Sequence, residues 1–154
     1  GWYFIVASFL IEFTAVYLAA KGVKLIIDGI SFIHLLSYIL IFFGLFMNFD
    51  KYSFWIITAG VFLNFIVIMA NGGQMPISSE ALTSAGLYKN MADIAEGRII
   101  THTLINETTR LKILADILPL PKIYPRPKVY SLGDALMALG IFIYIQQLML
   151  GKSK

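Results

Sequence analysis

The chain has 154 residues, 58% of them hydrophobic and only 14% charged, with a net charge of +3; an average soluble domain is roughly half apolar and about a quarter charged. A soluble core of this size has no use for so much apolar surface, whereas a hydrocarbon layer about 30 Å thick takes about 20 apolar residues per helix, and several runs reach that length. Cysteine is absent, which excludes disulfides, thiolate nucleophiles and cysteine metal sites, and with two histidines any metal would rest on carboxylates and an imidazole.

The expected fold class is therefore all-α: a polytopic transmembrane helical bundle forming a single membrane domain over residues 1–154, with no cofactor and no metal. Residues 2–20 are apolar except for Ser8, Glu12 and Thr14, and form the first expected span, with Trp2 and Tyr3 suited to an interface. Lys21 and Lys24 close it, and no basic stretch precedes it as in a signal peptide. A short connector holds Asp28 and Gly29, and the second span, 30–47, carries His34 and a few hydroxyls. A tight turn, Asn48-Phe49-Asp50-Lys51, leads to the third span, 52–70, with Asn64 inside it.

From Asn71 to Tyr130 charges become frequent, all five prolines occur, and no apolar run is long enough to cross; this is the expected extramembrane segment. Its first part reads as a helix running from an N-cap at Ser78, with Glu80 in the first turn, to Gly97. A second amphipathic helix is expected over Thr109 to Leu118, stopped by Pro119. Both suit the membrane surface or the end of a bundle. The proline-rich stretch from Pro119 to Pro127 is expected to run extended back to the membrane. The fourth span covers 131–150, followed by a basic tail.

Four spans place both termini on one side. Nine basic residues lie on the long-loop side (Lys21, Lys24, Lys89, Arg98, Arg110, Lys112, Lys122, Arg126, Lys128) and three on the other (Lys51, Lys152, Lys154), which puts the long loop in the cytoplasm by the positive-inside rule. No basic patch is interleaved with aromatics, so anionic lipid rather than nucleic acid is the partner of these charges.

An ionisable group in a spanning helix costs on the order of 3 kcal/mol at mid-bilayer, so it should face the bundle and have a partner. Helical spacing aligns Ser8, Glu12, Ala15 and Ala19 in the first span; His34, Ser37 and Gly44 in the second; Ser53, Gly60 and Asn64 in the third; and Gly133, Gly140 and Gln147 in the fourth. At 1.5 Å per residue, Glu12, His34, Asn64 and Asp134 lie about 12, 6, 9 and 5 Å below the long-loop surface. Together with Asn71, Gly72 and Gly73 they form the candidate site, either for a small polar ligand or lipid headgroup or for a proton relay between Glu12 and His34. The plainer alternatives are a packing hydrogen bond between Glu12 and His34, and a helix C-cap at Asn71-Gly72-Gly73 whose N–H groups otherwise invite an anion. His102 reads as a solvated loop histidine, or as half of an acid/base pair with Asp116 or Glu107. Arg126 and Lys128, just before the fourth span, are candidate contacts to lipid phosphates.

The segments Asn71-Gly72-Gly73-Gln74-Met75-Pro76, Asp116-Ile117-Leu118-Pro119 and Ser131-Leu132-Gly133-Asp134 resemble those of a family of small bacterial integral membrane proteins known only as a domain of unknown function. The resemblance covers the whole chain. It implies a further apolar segment and a basic linker ahead of Gly1-Trp2, hence a fifth span, and implies no activity. The expectation is a non-enzymatic, multi-pass protein of the bacterial inner membrane, acting as an accessory or scaffold subunit, alone or with partner membrane subunits or as a homo-oligomer, or binding a lipid or small ligand. The alternatives are a small proton-coupled transporter using Glu12 and His34, and a lipid-headgroup enzyme using Asp116, Asp134 and His102.

Overall fold

The computed structural model describes residues 1–120, 123 and 125–151. Seven helices run in the order α1 (Trp2–Ala20), α2 (Lys24–Asp28), α3 (Ile30–Phe46), α4 (Tyr52–Ala70), α5 (Ser79–Ala85), α6 (Tyr88–Ala95) and α7 (Leu132–Met149). Three of them, α1, α4 and α7, are long and apolar enough to cross a membrane, with 19, 19 and 18 residues. Helix α3 has 17 residues and is the shorter fourth, at the lower limit of about 17 for a bilayer-spanning helix.

The apolar helices pack as two pairs, α1 on α3 and α4 on α7, which meet where α3 touches α4. Aromatic rings of α3 and α4 make that junction: Tyr38 and Phe42 both lie against Phe65. Within the pairs most buried positions are small or polar, including Ser8, Ala15 and Ala19 on α1, His34, Ser37 and Gly44 on α3, Ser53, Gly60 and Asn64 on α4, and Gly133 and Gly140 on α7, joined by Ile30, Leu45, Val61 and Val67. The reason is distance. A Cβ on Gly60 would lie 2.5 Å from the carbonyl oxygen of Gly133, and one on Gly140 would lie 2.9 Å from the amide nitrogen of Ile57, so only hydrogen at these positions lets the backbones approach. Ser53 Oγ then donates to Gln147 Oε1 at 2.9 Å across the same seam. Large apolar side chains, among them Phe13, Phe32, Phe62 and Phe142, point outward.

The segment from 71 to 130 departs from the all-α expectation, because it contains four short strands. β1 (Met75–Ile77) pairs in parallel with β2 (His102–Leu104), and β3 (Leu118–Leu120) pairs antiparallel with β4 (Lys128–Tyr130). The helix expected from Ser78 to Gly97 starts as anticipated, with Ser78 Oγ accepting from the Ala81 amide, but it breaks at Gly86, whose φ of 74° ends α5 before α6 turns away. This break lets Ala81, Leu82 and Ala85 of α5 and Ile94 of α6 face one another and join Ile77 and Val129 in a small core of their own. The second expected helix, over Thr109 to Leu118, does not form. Only a 3-10 turn at Lys112–Leu114 appears, entered through Leu111 at a φ of 54°, and the backbone is then extended from Ala115. The apolar residues at 114, 115 and 118 were periodic enough for a helix, but backbone pairing with β1 takes this stretch instead: the Asp116 amide donates to Pro76 O and the Ser78 amide to Asp116 O, both at 2.9 Å. The proline stretch also differs from the expected continuous extension, since β3 and β4 fold it back on itself as a hairpin; Pro121, Lys122 and Tyr124 within it, and Lys152 to Lys154 of the expected tail, lie outside the described residues.

Candidate functional site

Glu12 on α1 and His34 on α3 occupy facing stripes of the first helix pair, and His34 Nδ1 lies 2.9 Å from Glu12 Oε1. The other ring nitrogen, Nε2, is buried without a hydrogen-bond partner. In the second pair, Asn64 of α4 faces Asp134 in the first turn of α7. Ser131 caps that helix by accepting from the Asp134 amide at 2.9 Å, and Asp134 Oδ2 reaches back to the Ser131 amide, completing a capping box. Asn64 locks this cap to α4, accepting from Ser131 Oγ at 2.7 Å and donating to Asp134 Oδ1 at 2.8 Å. Both amide atoms of Asn64 and both carboxylate oxygens of Asp134 are thus engaged.

Asn71, Gly72 and Gly73 join the end of α4 to Arg110 and Ser31. The Asn71 side chain donates to Val67 O of its own helix and to Arg110 O, and accepts from the Arg110 amide at 2.9 Å. Gly73 donates its amide to Ile68 O at 2.9 Å, closing the end of α4, and its φ of 85° with Ser31 packed against its Cα leaves no room for a side chain. Gly72 accepts from Ser31 Oγ. None of the three lines the cavity described below.

His102 and Asp116 come together through the strands of the 71–130 segment, the cap that lies beside the apolar helices. β2 lies beside β1 on one side and the extended residue Asp116 beside Ile77 on the other, which brings His102 Nε2 to 3.5 Å from Asp116 Oδ2. His102, expected as a solvated loop residue or as half of an acid/base pair with Asp116 or Glu107, has a side chain 34% exposed, and that of Asp116 is 7% exposed. Burial pushes the Asp116 carboxyl above its usual range, with His102 opposing that shift, and Oδ1 of this carboxyl has no hydrogen-bond partner.

These groups converge. A cavity of about 290 Å³ between the apolar helices and the cap is lined by Glu12, His34, Tyr38, Asn64 and Asp134 from the helices and by Thr101, His102 and Asp116 from the cap. Four of the sequence-predicted site residues, Glu12, His34, Asn64 and Asp134, are therefore brought together, while Asn71, Gly72 and Gly73 stand apart. Arg126 is exposed, and exposed Lys128 holds its Nζ 5.5 Å from the Tyr130 ring and lines an adjoining cavity that shares His102, Asp116 and Asp134. Sequence reasoning missed Tyr38 and Thr101. Tyr38 had a usable signal, since it follows His34 by one helical turn; Thr101 had none before its strand pairing was known. Among the described residues no group of three or more His, Asp or Glu is disposed to hold a metal ion.

The chain is 28% identical over 109 residues to an "Uncharacterized protein" of Thermotoga maritima, a match that covers 71% of this chain and 60% of that relative, so the chain spans less than two thirds of the relative's length. No solved structure matches. Residues 1–146 match the Family of unknown function (DUF5317), and the chain belongs to that family.

Proposed function

We propose that this protein is a multi-pass bundle of the bacterial inner membrane whose role is to bind a small polar ligand or a lipid headgroup in the chamber between its spans and its cap. In this reading α3 joins α1, α4 and α7 as a span, the outward-facing phenylalanines meet lipid, and the cap lies on the cytoplasmic side, where Arg126 and Lys128 meet lipid phosphates. The observation that carries the proposal is the convergence of Glu12, His34, His102 and Asp116 on one cavity while two of their polar atoms, His34 Nε2 and Asp116 Oδ1, are left without partners. Polar groups buried this deeply are normally hydrogen-bonded, and a bound molecule is one way to complete them.

Native purification in nanodiscs, with mass spectrometry of everything retained, tests this reading. A retained small molecule or lipid that is lost on His34→Asn or Asp116→Asn substitution supports it. A stoichiometric partner protein with an unfilled cavity replaces it with the scaffold reading and leaves Glu12 and His34 as packing residues.

A second reading, a proton-coupled permease component, is favoured by the two carboxylate–imidazole pairs, Glu12 with His34 and Asp116 with His102, facing the same space. It requires that Glu12→Gln abolish a proton-dependent flux while leaving the protein assembled.

A further inference from the structure

The charge and hydrogen-bonding inventory of the chamber narrows the ligand to one chemical class. Three carboxyl side chains line it, Glu12, Asp116 and Asp134, and among the described residues no Lys or Arg does. Lys128 lines the adjoining cavity, and its charge acts on Asp116. Asp134 is fully engaged by Asn64 and the Ser131 amide. Two side-chain atoms of residues that line the chamber are therefore buried without partners, Asp116 Oδ1 and, with Nδ1 donating to Glu12, His34 Nε2, on side chains only 7% and 9% exposed. In that tautomer both unpartnered atoms are acceptors and call for donors, while the Tyr38 hydroxyl, which also lines the chamber, can accept from a bound group as well as donate. An anion would bring further acceptors against three carboxyls. An ammonium brings three N–H donors and a positive charge. The remaining wall suits the carbon attached to such a group, with Phe9, Tyr38, Ile41 and Ile68 presenting rings and alkyl surface.

Resting on the ligand-binding reading above, we propose that the chamber binds a primary ammonium group, received either from an aminophospholipid headgroup or from a free small amine, through Asp116, His34 and Glu12.

The test compares ethanolamine with choline, which carries the same charge but no N–H donor, and nanodiscs of phosphatidylethanolamine and phosphatidylglycerol with nanodiscs of phosphatidylcholine and phosphatidylglycerol. The full chain is expected to retain phosphatidylethanolamine in native mass spectrometry, or to bind ethanolamine saturably in the phosphatidylcholine discs, and to discriminate against the choline counterpart by about tenfold or more. Retention of the lipid without binding of free ethanolamine identifies the lipid as the source, and the converse identifies a free amine. Asp116→Asn and His34→Asn, the latter keeping an amide toward Glu12, are expected to weaken binding about tenfold or more. Equal binding of choline and ethanolamine by the unsubstituted protein overturns the proposal, and this comparison stands even if both variants fail to fold. Unchanged binding by folded variants also overturns it. Retention of a polar molecule without an ammonium group, lost on either substitution, overturns the ammonium assignment but leaves the chamber a ligand site; if nothing is retained, both fall.

Discussion

Asn64 and Asp134 lie 70 residues apart in the chain and 2.8 Å apart in space, and the hydrogen bond between them joins the middle of α4 to the first turn of α7. Ser131 closes the arrangement by donating to Asn64 Oδ1 while it accepts from the Asp134 amide. The capping box that starts α7 is thereby held in register with Gly60 and Gly133, where the two backbones are closest.

Replacing Asn64 with Leu leaves the buried Ser131 hydroxyl and one oxygen of the half-buried Asp134 without their partner. The expected loss is about 1–3 kcal/mol, at the upper end of what interhelical hydrogen bonds contribute in lipid. Reversible unfolding in detergent, followed by circular dichroism, measures it. A loss below the error of that measurement would mean that backbone packing alone sets the α4–α7 register.

Gly60→Val introduces branched carbon where a Cβ already meets Gly133 O at 2.5 Å and the Met137 amide at 2.8 Å. Helix backbone cannot yield as a flexible side chain can, so α4 and α7 must separate, costing about 1–3 kcal/mol or more. Phe142→Leu, on the outward face of α7, serves as the comparison and is expected to change stability by about 0.5 kcal/mol or less. Equal stability of the two variants would contradict the close approach.

Asn71→Ala cuts the side-chain link between the end of α4 and the backbone of Arg110. The Arg110 amide, which donates to Asn71 Oδ1, should exchange with deuterium about fivefold faster, since the opening it reports loses a hydrogen bond of about 1 kcal/mol. The amides of Ala81 and Leu82, inside the cap's own core, should be unaffected. Uniformly faster exchange through the cap would instead make Asn71 necessary for the folding of the whole segment.

Asp116 gives the cap a pH dependence of definite sign. Its folded carboxyl titrates above the ordinary carboxylate range because it is buried, so between the unfolded and folded values the native state holds the additional proton. Its stabilising contribution is complete below the unfolded value, about pH 4, and is lost as pH rises through the folded value. The difference in stability between the unsubstituted protein and Asp116→Asn should therefore shrink as pH is raised across that window. Thermal unfolding of the two proteins at a series of pH values reads this directly, and a difference that grows with pH would mean that pairing with His102 outweighs burial.

The sequence by itself determined the features that depend on neighbours within one or two helical turns. The runs that became α1, α3, α4 and α7 were legible from apolar length, and their buried stripes from the spacing of Ser8, His34, Ser53, Gly60, Asn64, Gly133 and Gly140. The cap at Ser78 followed from one side chain and the turn after it. Tertiary structure alone decided the rest. Ala115 and Leu118 share a helical spacing with Leu111, yet Asp116 is extended because its backbone pairs with Pro76 and Ser78, some 40 residues earlier. The same pairing turns His102 from a loop residue into a wall of the chamber and carries Asp116 to within reach of it. Strands of three residues have too little alternation to announce themselves, and the hydrogen bonds that hold them are made to distant segments; periodicity reports local geometry, whereas the site depends on which segments meet.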